Sequence, residues 1–167
     1  MSDISKFNTQ LQNALPLLIK NTVKVLEIEG KKSIQQNFAQ QGRPQWKPKK
    51  IDDGRAILTG RSGKLQREIN VMESSRTPNS VSIGSNLKYA KIQNEGGTIQ
   101  VTAKMKKYFW AMYYKTNDEA YKALALRKVG STITIPARPF LNVPASDYPR
   151  IMNQVEKVVA STMKTIR

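Results

Sequence analysis

The chain has 167 residues, 28 basic and 12 acidic side chains, and a net charge of +16, with neither cysteine nor histidine. That length suits one domain with a real hydrophobic core. The missing residue types remove disulfides, thiolate chemistry, the commonest general base and the commonest transition-metal ligand.

The first 14 residues are helix-like, with Ile4, Phe7, Leu11 and Leu15 on one stripe. Pro16 then either kinks a long helix or opens a second one at its first turn. Helical spacing continues through Ile19, Val23, Leu26 (or Val25), Gly30, Ile34 and Phe38, and Gly42 ends it. Gly30 weakens this helix unless another backbone packs closely there. Residues 41–57 hold two prolines, two glycines and five basic residues, which predicts a loop. Within it, Asp52-Asp53-Gly54 reads as a turn. Thr59 to Leu65 reads as a turn entering a short helix with Ser62 as N-cap. Ile69–Glu73 and Ser80–Gly84 predict an antiparallel strand pair.

Tyr89 to Asn94 predicts a helical turn stopped by Gly96-Gly97, and Thr98–Thr102 a third strand. Residues 103–115 form an aromatic-rich helix, 118–128 a second helical stretch opened by Asp118-Glu119, and Ser131–Ile135 a fourth strand. Pro136 and Pro139 bracket an extended segment ending in Phe140-Leu141. A closing helix follows Asp147 and Tyr148, with Ile151, Met152, Val155, Val158, Val159 and Met163 as its buried stripe. The expected architecture is one α+β domain over 1–167. It has an N-terminal helical region (1–41), a basic loop (42–57), a small, mainly antiparallel sheet of about four strands, an inserted aromatic helical hairpin (103–128) and a C-terminal helix.

The charge is spread evenly, so the folded surface itself is positive and favours nucleic acid or acidic protein faces. No apolar run approaches the roughly 20 residues of a membrane helix. Leu15 to Ile19 is too short for a signal-peptide core. The expected setting is therefore inside a cell, or a particle assembled there, with no membrane contact and no cofactor. The carboxylates are scattered and no glycine-rich phosphate loop follows a strand. Ser62 and Lys64 are close in sequence, but adjacency in a turn does not create a nucleophile.

A series of short signatures runs in order along the chain: Asn37-Phe38-Ala39-Gln40-Gln41-Gly42 with Trp46-Lys47-Pro48, then Ile57-Leu58-Thr59-Gly60-Arg61, then Val81-Ser82-Ile83-Gly84. Tyr89-Ala90-Lys91-Ile92-Gln93-Asn94-Glu95-Gly96-Gly97, Lys104 to Met112, and Ile135-Pro136-Ala137-Arg138-Pro139-Phe140-Leu141 complete it. Over roughly residues 30–145 this order and spacing resemble the phage virion morphogenesis family, the Mu-type tail-completion proteins, in versions carried by prophages. Two departures stand out. Gln93 replaces a frequent histidine, and Ser62-Gly63-Lys64 lengthens a shorter Thr-Gly-Arg-Leu.

The resemblance implies a non-enzymatic structural protein of the virion tail or neck, present in the host cytoplasm during assembly. It would act in tail completion, as a tail terminator or as a head–tail connector. Its implied partners are tail-tube or neck proteins and further copies of itself, in a ring that is hexameric in related folds. The residues themselves nominate surfaces. Tyr108, Phe109, Trp110, Met112, Tyr113 and Tyr114 cover nearly all sides of one helix, more than one small domain hides, so they are candidates for a subunit interface. Trp46 and Arg138 join them, each with a core or tethering role as the alternative. Arg43, Lys47, Lys49, Lys50 and Arg55 are candidates for electrostatic contacts, to acidic partners or non-specifically to DNA. A basic nucleic-acid-binding module is the competing reading.

Overall fold

In the computed structural model, residues 3–52, 54–60, 62–72 and 77–164 are described. The sequence expectations that fall on Asp53, Arg61 and Glu73 lie outside them.

The fold is α+β, as the periodicity predicts. Helix α1 spans Asp3–Ala39 and runs unbroken through Pro16. Its 37 residues make a rod about 55 Å long. It ends in a Schellman motif at Gln41, not at Gly42. Gln41 takes the left-handed conformation (φ 55°), its N–H bonds to the Phe38 carbonyl, and the Gly42 N–H reaches the Asn37 carbonyl. Gly42 is the second residue of the motif. A Cβ there would lie 2.5 Å from the Trp46 ring, so a glycine lets the indole fold back against the helix end.

The short helix α2 is Lys64–Arg67, and its N-cap is Gly63 in the left-handed region, not Ser62. Strands β1 (Asn70–Val71) and β2 (Ile83–Gly84) pair antiparallel. Helix α3 (Ala90–Glu95) leads into β3 (Gly97–Gln100). Next come α4 (Ala103–Thr116) and α5 (Glu119–Ala125), and β4 (Thr132–Ile135) pairs back on β3. A 3-10 turn (Ala145–Asp147) then opens α6 (Tyr148–Lys164). The four expected strands thus form two separate two-stranded sheets.

The core gathers Ile34, Phe38, Trp46, Leu65, Ile69, Ala90 and Phe140. Phe38 is its hub, with the Trp46 ring edge-on at 5.6 Å and the Phe140 ring tilted at the same distance. Helix α6 packs antiparallel on α1, with Thr162 against Asn21 and Asp147 against Ser33. The expected stripe of α6 is covered only in part. Ile151 is buried and Val155, Val158 and Val159 are half-buried, while Met152 and Met163 are exposed. Among the described residues α6 packs mainly on α1, which leaves Met152 and Met163 in solvent.

Gly96 makes the corner between α3 and β3. Its φ of 77° with ψ of −179° is a conformation open essentially to glycine, and a Cβ would sit 2.7 Å from the Ala137 backbone nitrogen. Gly96→Ala should therefore cost about 1–3 kcal/mol, measured as a lower urea midpoint at unchanged m-value.

Candidate functional site

Two features stand out from the packed core: a buried polar clasp and a protruding helical hairpin. The clasp begins with Ser33 and Asn37, one turn apart on the buried side of α1. Arg43, delivered by the loop after α1, reaches back over both. Its Nη1 meets Asp147 Oδ1 at 2.9 Å, its Nη2 donates to the Ser33 carbonyl at 2.7 Å, and its Nε donates to Asn37 Oδ1 at 2.9 Å. Ser33 Oγ donates to Asp147 Oδ2, and the Asn37 amide donates to the Phe140 and Asn142 carbonyls. Arg150 joins Glu29 to the same cluster by an ion pair. The Arg43 guanidinium beside Asp147 holds that carboxyl below its usual range against the opposing effect of burial, with the Ser33 hydroxyl adding to it. On the neighbouring turns of α1, Lys31 does the same for Glu27, assisted by Lys24.

Arg43 therefore ties α1, the loop and α6 together, and is committed within the fold. This corrects its nomination as an outward electrostatic contact. Trp46 is likewise withdrawn from the surface, at 4% exposure in the core. Arg138 is buried too. Its guanidinium donates to the Lys47 and Pro48 carbonyls and so tethers the basic loop, while burial alone lowers its pKa. Lys49 donates to the Arg55 carbonyl across that loop. The Lys47, Lys50 and Arg55 side chains lie exposed on it. The Asp52 carboxylate accepts from the Gly54 N–H in the expected turn.

The hairpin is built from α4 and α5 and stands on the β3–β4 pair as a stem. Thr102 caps α4 by accepting from the Met105 N–H, and Asp118 caps α5 by accepting from the Ala120 N–H. Asn117, in the left-handed conformation, turns the chain between them. At the base, Val101 exchanges backbone hydrogen bonds with Gly130 and Ser131. The two helices pack chiefly on each other, and α4 has no buried residue.

Phe109, Trp110, Met112 and Tyr113 are half-buried, with the Trp110 ring stacked on Tyr114 at 5.9 Å and Lys122 Nζ 5.3 Å from the Tyr113 centroid. Tyr108 and Tyr114 point outward at 54% and 79% exposure. Lys104, Lys107 and Lys115 share their face by helical spacing, and all three are exposed. The outer surface of α4 thus combines tyrosines with lysines.

Among the described residues, no group of three or more carboxylates converges as a metal site, and no helix is long and apolar enough to cross a membrane. What the fold presents is a clasped α1–α6 frame carrying an aromatic hairpin that its own core does not cover. The sequence profile of the phage virion morphogenesis family matches residues 4–160, nearly the whole chain, and extends the resemblance read from residues 30–145. The chain belongs to the phage virion morphogenesis family, which gives it a structural or assembly role in a phage particle and other virion proteins as its partners. Neither a curated protein nor a solved structure matches it.

Proposed function

We propose that this protein acts without catalysis in tail completion or head–tail joining, by oligomerising and docking to tail-tube or neck subunits at the virion tail or neck. The observation that carries this reading is the α4–α5 hairpin. A single-domain protein with nothing to dock would gain from burying Trp110 and the surrounding tyrosines. Here Trp110 and Tyr113 are only half-buried, Tyr108 and Tyr114 are exposed, and all four lie outside the core cluster; aromatics of this kind dominate interface hot spots. Six lysines and Arg127 against Asp118 and Glu119 make residues 103–128 strongly basic, so the fitting partner surface is acidic.

The test is a Tyr108→Ser, Tyr114→Ser double variant. Because both side chains are exposed, its stability should stay within about 0.5–1 kcal/mol of wild type. Capture of the phage's own tail-tube and neck proteins should fall at least tenfold, and particles assembled with it should accumulate as unjoined heads and tails. Normal joining would sink the proposal.

The face shared by Lys104, Lys107, Lys115, Tyr108 and Tyr114 also supports a second reading, a non-specific contact with nucleic acid. In that case the double variant would lose affinity for single-stranded DNA. Charge reversal of the three lysines would flatten the salt dependence of binding.

A further inference from the structure

The first turns of α1 continue a stripe that has already found a partner lower down. Between residues 18 and 33 the stripe faces α6, through contacts such as Asn21 with Thr162 and Ser33 with Asp147. The described part of α6 stops at Lys164, two residues past the contact with Asn21. The same stripe then runs on toward the N-terminus through Leu15, which shares a cleft with Thr77, Pro78 and Asn79, and through half-buried Leu11 to Phe7 and Ile4. Ile4 and Phe7 are 77% and 55% exposed. Ile4, Leu11, Leu18 and Val25 repeat every seven residues, with Phe7 and Ala14 between them, the spacing of a helix seam that expects a helical neighbour.

A second uncovered apolar surface lies elsewhere on the molecule. It is a cleft of about 590 Å³ between α1, β2 and α6, lined among others by Leu26, Gly30, Ile83, Tyr148 and Met152. Gly30 opens its floor, since a Cβ there would lie 2.8 Å from Ile83 Cδ1. The arm cannot reach this cleft in its own chain. Phe7 and Leu26 are 19 residues apart on one continuous helix, roughly 30 Å.

Charge identifies the occupant. In a chain of net charge +16, two copies repel unless they meet through uncharged faces. Residues 3–19 contain only Asp3 and Lys6, one charge of each sign. None of the residues lining the cleft is charged. An acidic foreign partner is matched by the lysine-rich hairpin, whereas these two neutral surfaces match each other.

We infer that the α1 arm, through Ile4, Phe7 and Leu11, inserts into the Leu26–Met152 cleft of a second copy of the same chain. Because arm and cleft are different surfaces, the contact is head-to-tail. Such a contact propagates until it closes into a ring or runs on as a filament. The inference rests on the oligomerising part of the proposed function and assigns it a surface separate from the docking hairpin.

The absence of native cysteine makes the test direct. The full-length chain carrying both Phe7→Cys and Met152→Cys, treated with a short bismaleimide, should give a ladder beyond the dimer on a denaturing gel. Phe7→Cys alone should give no dimer. A Phe7→Cys dimer would mean that arms pair with arms, and would overturn the assignment, as would a double variant that stays monomeric. A third arm guards against misfolding. Phe7→Gln and Met152→Lys, each with an unchanged circular dichroism spectrum, should be monomeric alone in sedimentation and form one heterodimer when mixed. Either variant self-associating as wild type does would sink the contact. Capture of tail or neck proteins through the hairpin should persist in both variants, so failure of the arm contact and failure of the docking reading give different results.

Discussion

Arg43→Met should destabilise the protein by about 3–5 kcal/mol, seen as a lower urea midpoint and a Tm drop of many degrees. The side chains of Arg43 and Asp147 are only 16% and 10% exposed, so methionine leaves the Asp147 carboxylate buried without its main partner. The Ser33 carbonyl and Asn37 Oδ1 lose their donors in the same step. Asp147→Asn is the milder companion, because its amide still accepts from one side while giving up the charge.

The pH dependence follows from the same pair. Asp147 is held below its unfolded value, so in the native state it releases its proton more readily than in the unfolded chain. Its contribution to stability is then fully present above the unfolded carboxylate pKa of about 3.9. It is lost as pH falls through the lower native value. Wild type should therefore show a steep loss of stability on the acid side of about pH 4, and Arg43→Met a shallower one, in urea melts taken at successive pH values. Equal slopes for the two proteins would show that Asp147 is not the group responsible.

Trp46→Ala should cost about 3–5 kcal/mol, the range for truncating a large buried aromatic. Trp46 fills the space that Gly42 leaves open and meets Phe38 edge-on, so alanine leaves a cavity beside the residue on which Phe140 also packs. The outcome separates the two roles that a loop tryptophan can have. A partner anchor would leave the isolated protein as stable as wild type and lose only binding. A core residue loses stability first, with any binding defect following from it. Thermal melts of the isolated chain decide between them. Trp46→Phe should recover most of the loss, because the edge-on contact with Phe38 survives.

Together these variants divide the molecule into a frame and its surfaces. The frame is α1, the loop anchored by Arg43, Trp46 and Arg138, and α6. Substitutions there act on folding. The hairpin at 103–128 and the arm at 3–15 lie outside the core cluster, and substitutions there are expected to act on assembly.

Local chemistry decided much by itself. The helical periods at 1–41, 103–115 and 148–164, the Asx turn at Asp52, the Asp118 cap and the antiparallel pairing of β1 with β2 depend on residues near one another in sequence, whereas β3 pairs with β4 across the whole inserted hairpin. Their order was also enough to point to the family. The sequence could show, too, that Tyr108 to Tyr114 exceed what one stripe can bury. Tertiary structure decided the rest. Ser33, Arg43 and Asp147 become a unit across more than 100 residues of chain, and nothing in helical spacing reveals that two polar residues inside an apolar pattern await an arginine and an aspartate. The same long-range packing withdrew Arg43, Trp46 and Arg138 from the surface, split the four strands into two sheets, and left the N-terminal turns of α1 reaching past the described part of α6. Periodicity reports which face of a helix is apolar. Which of those faces finds a partner within the chain depends on where the other elements stop.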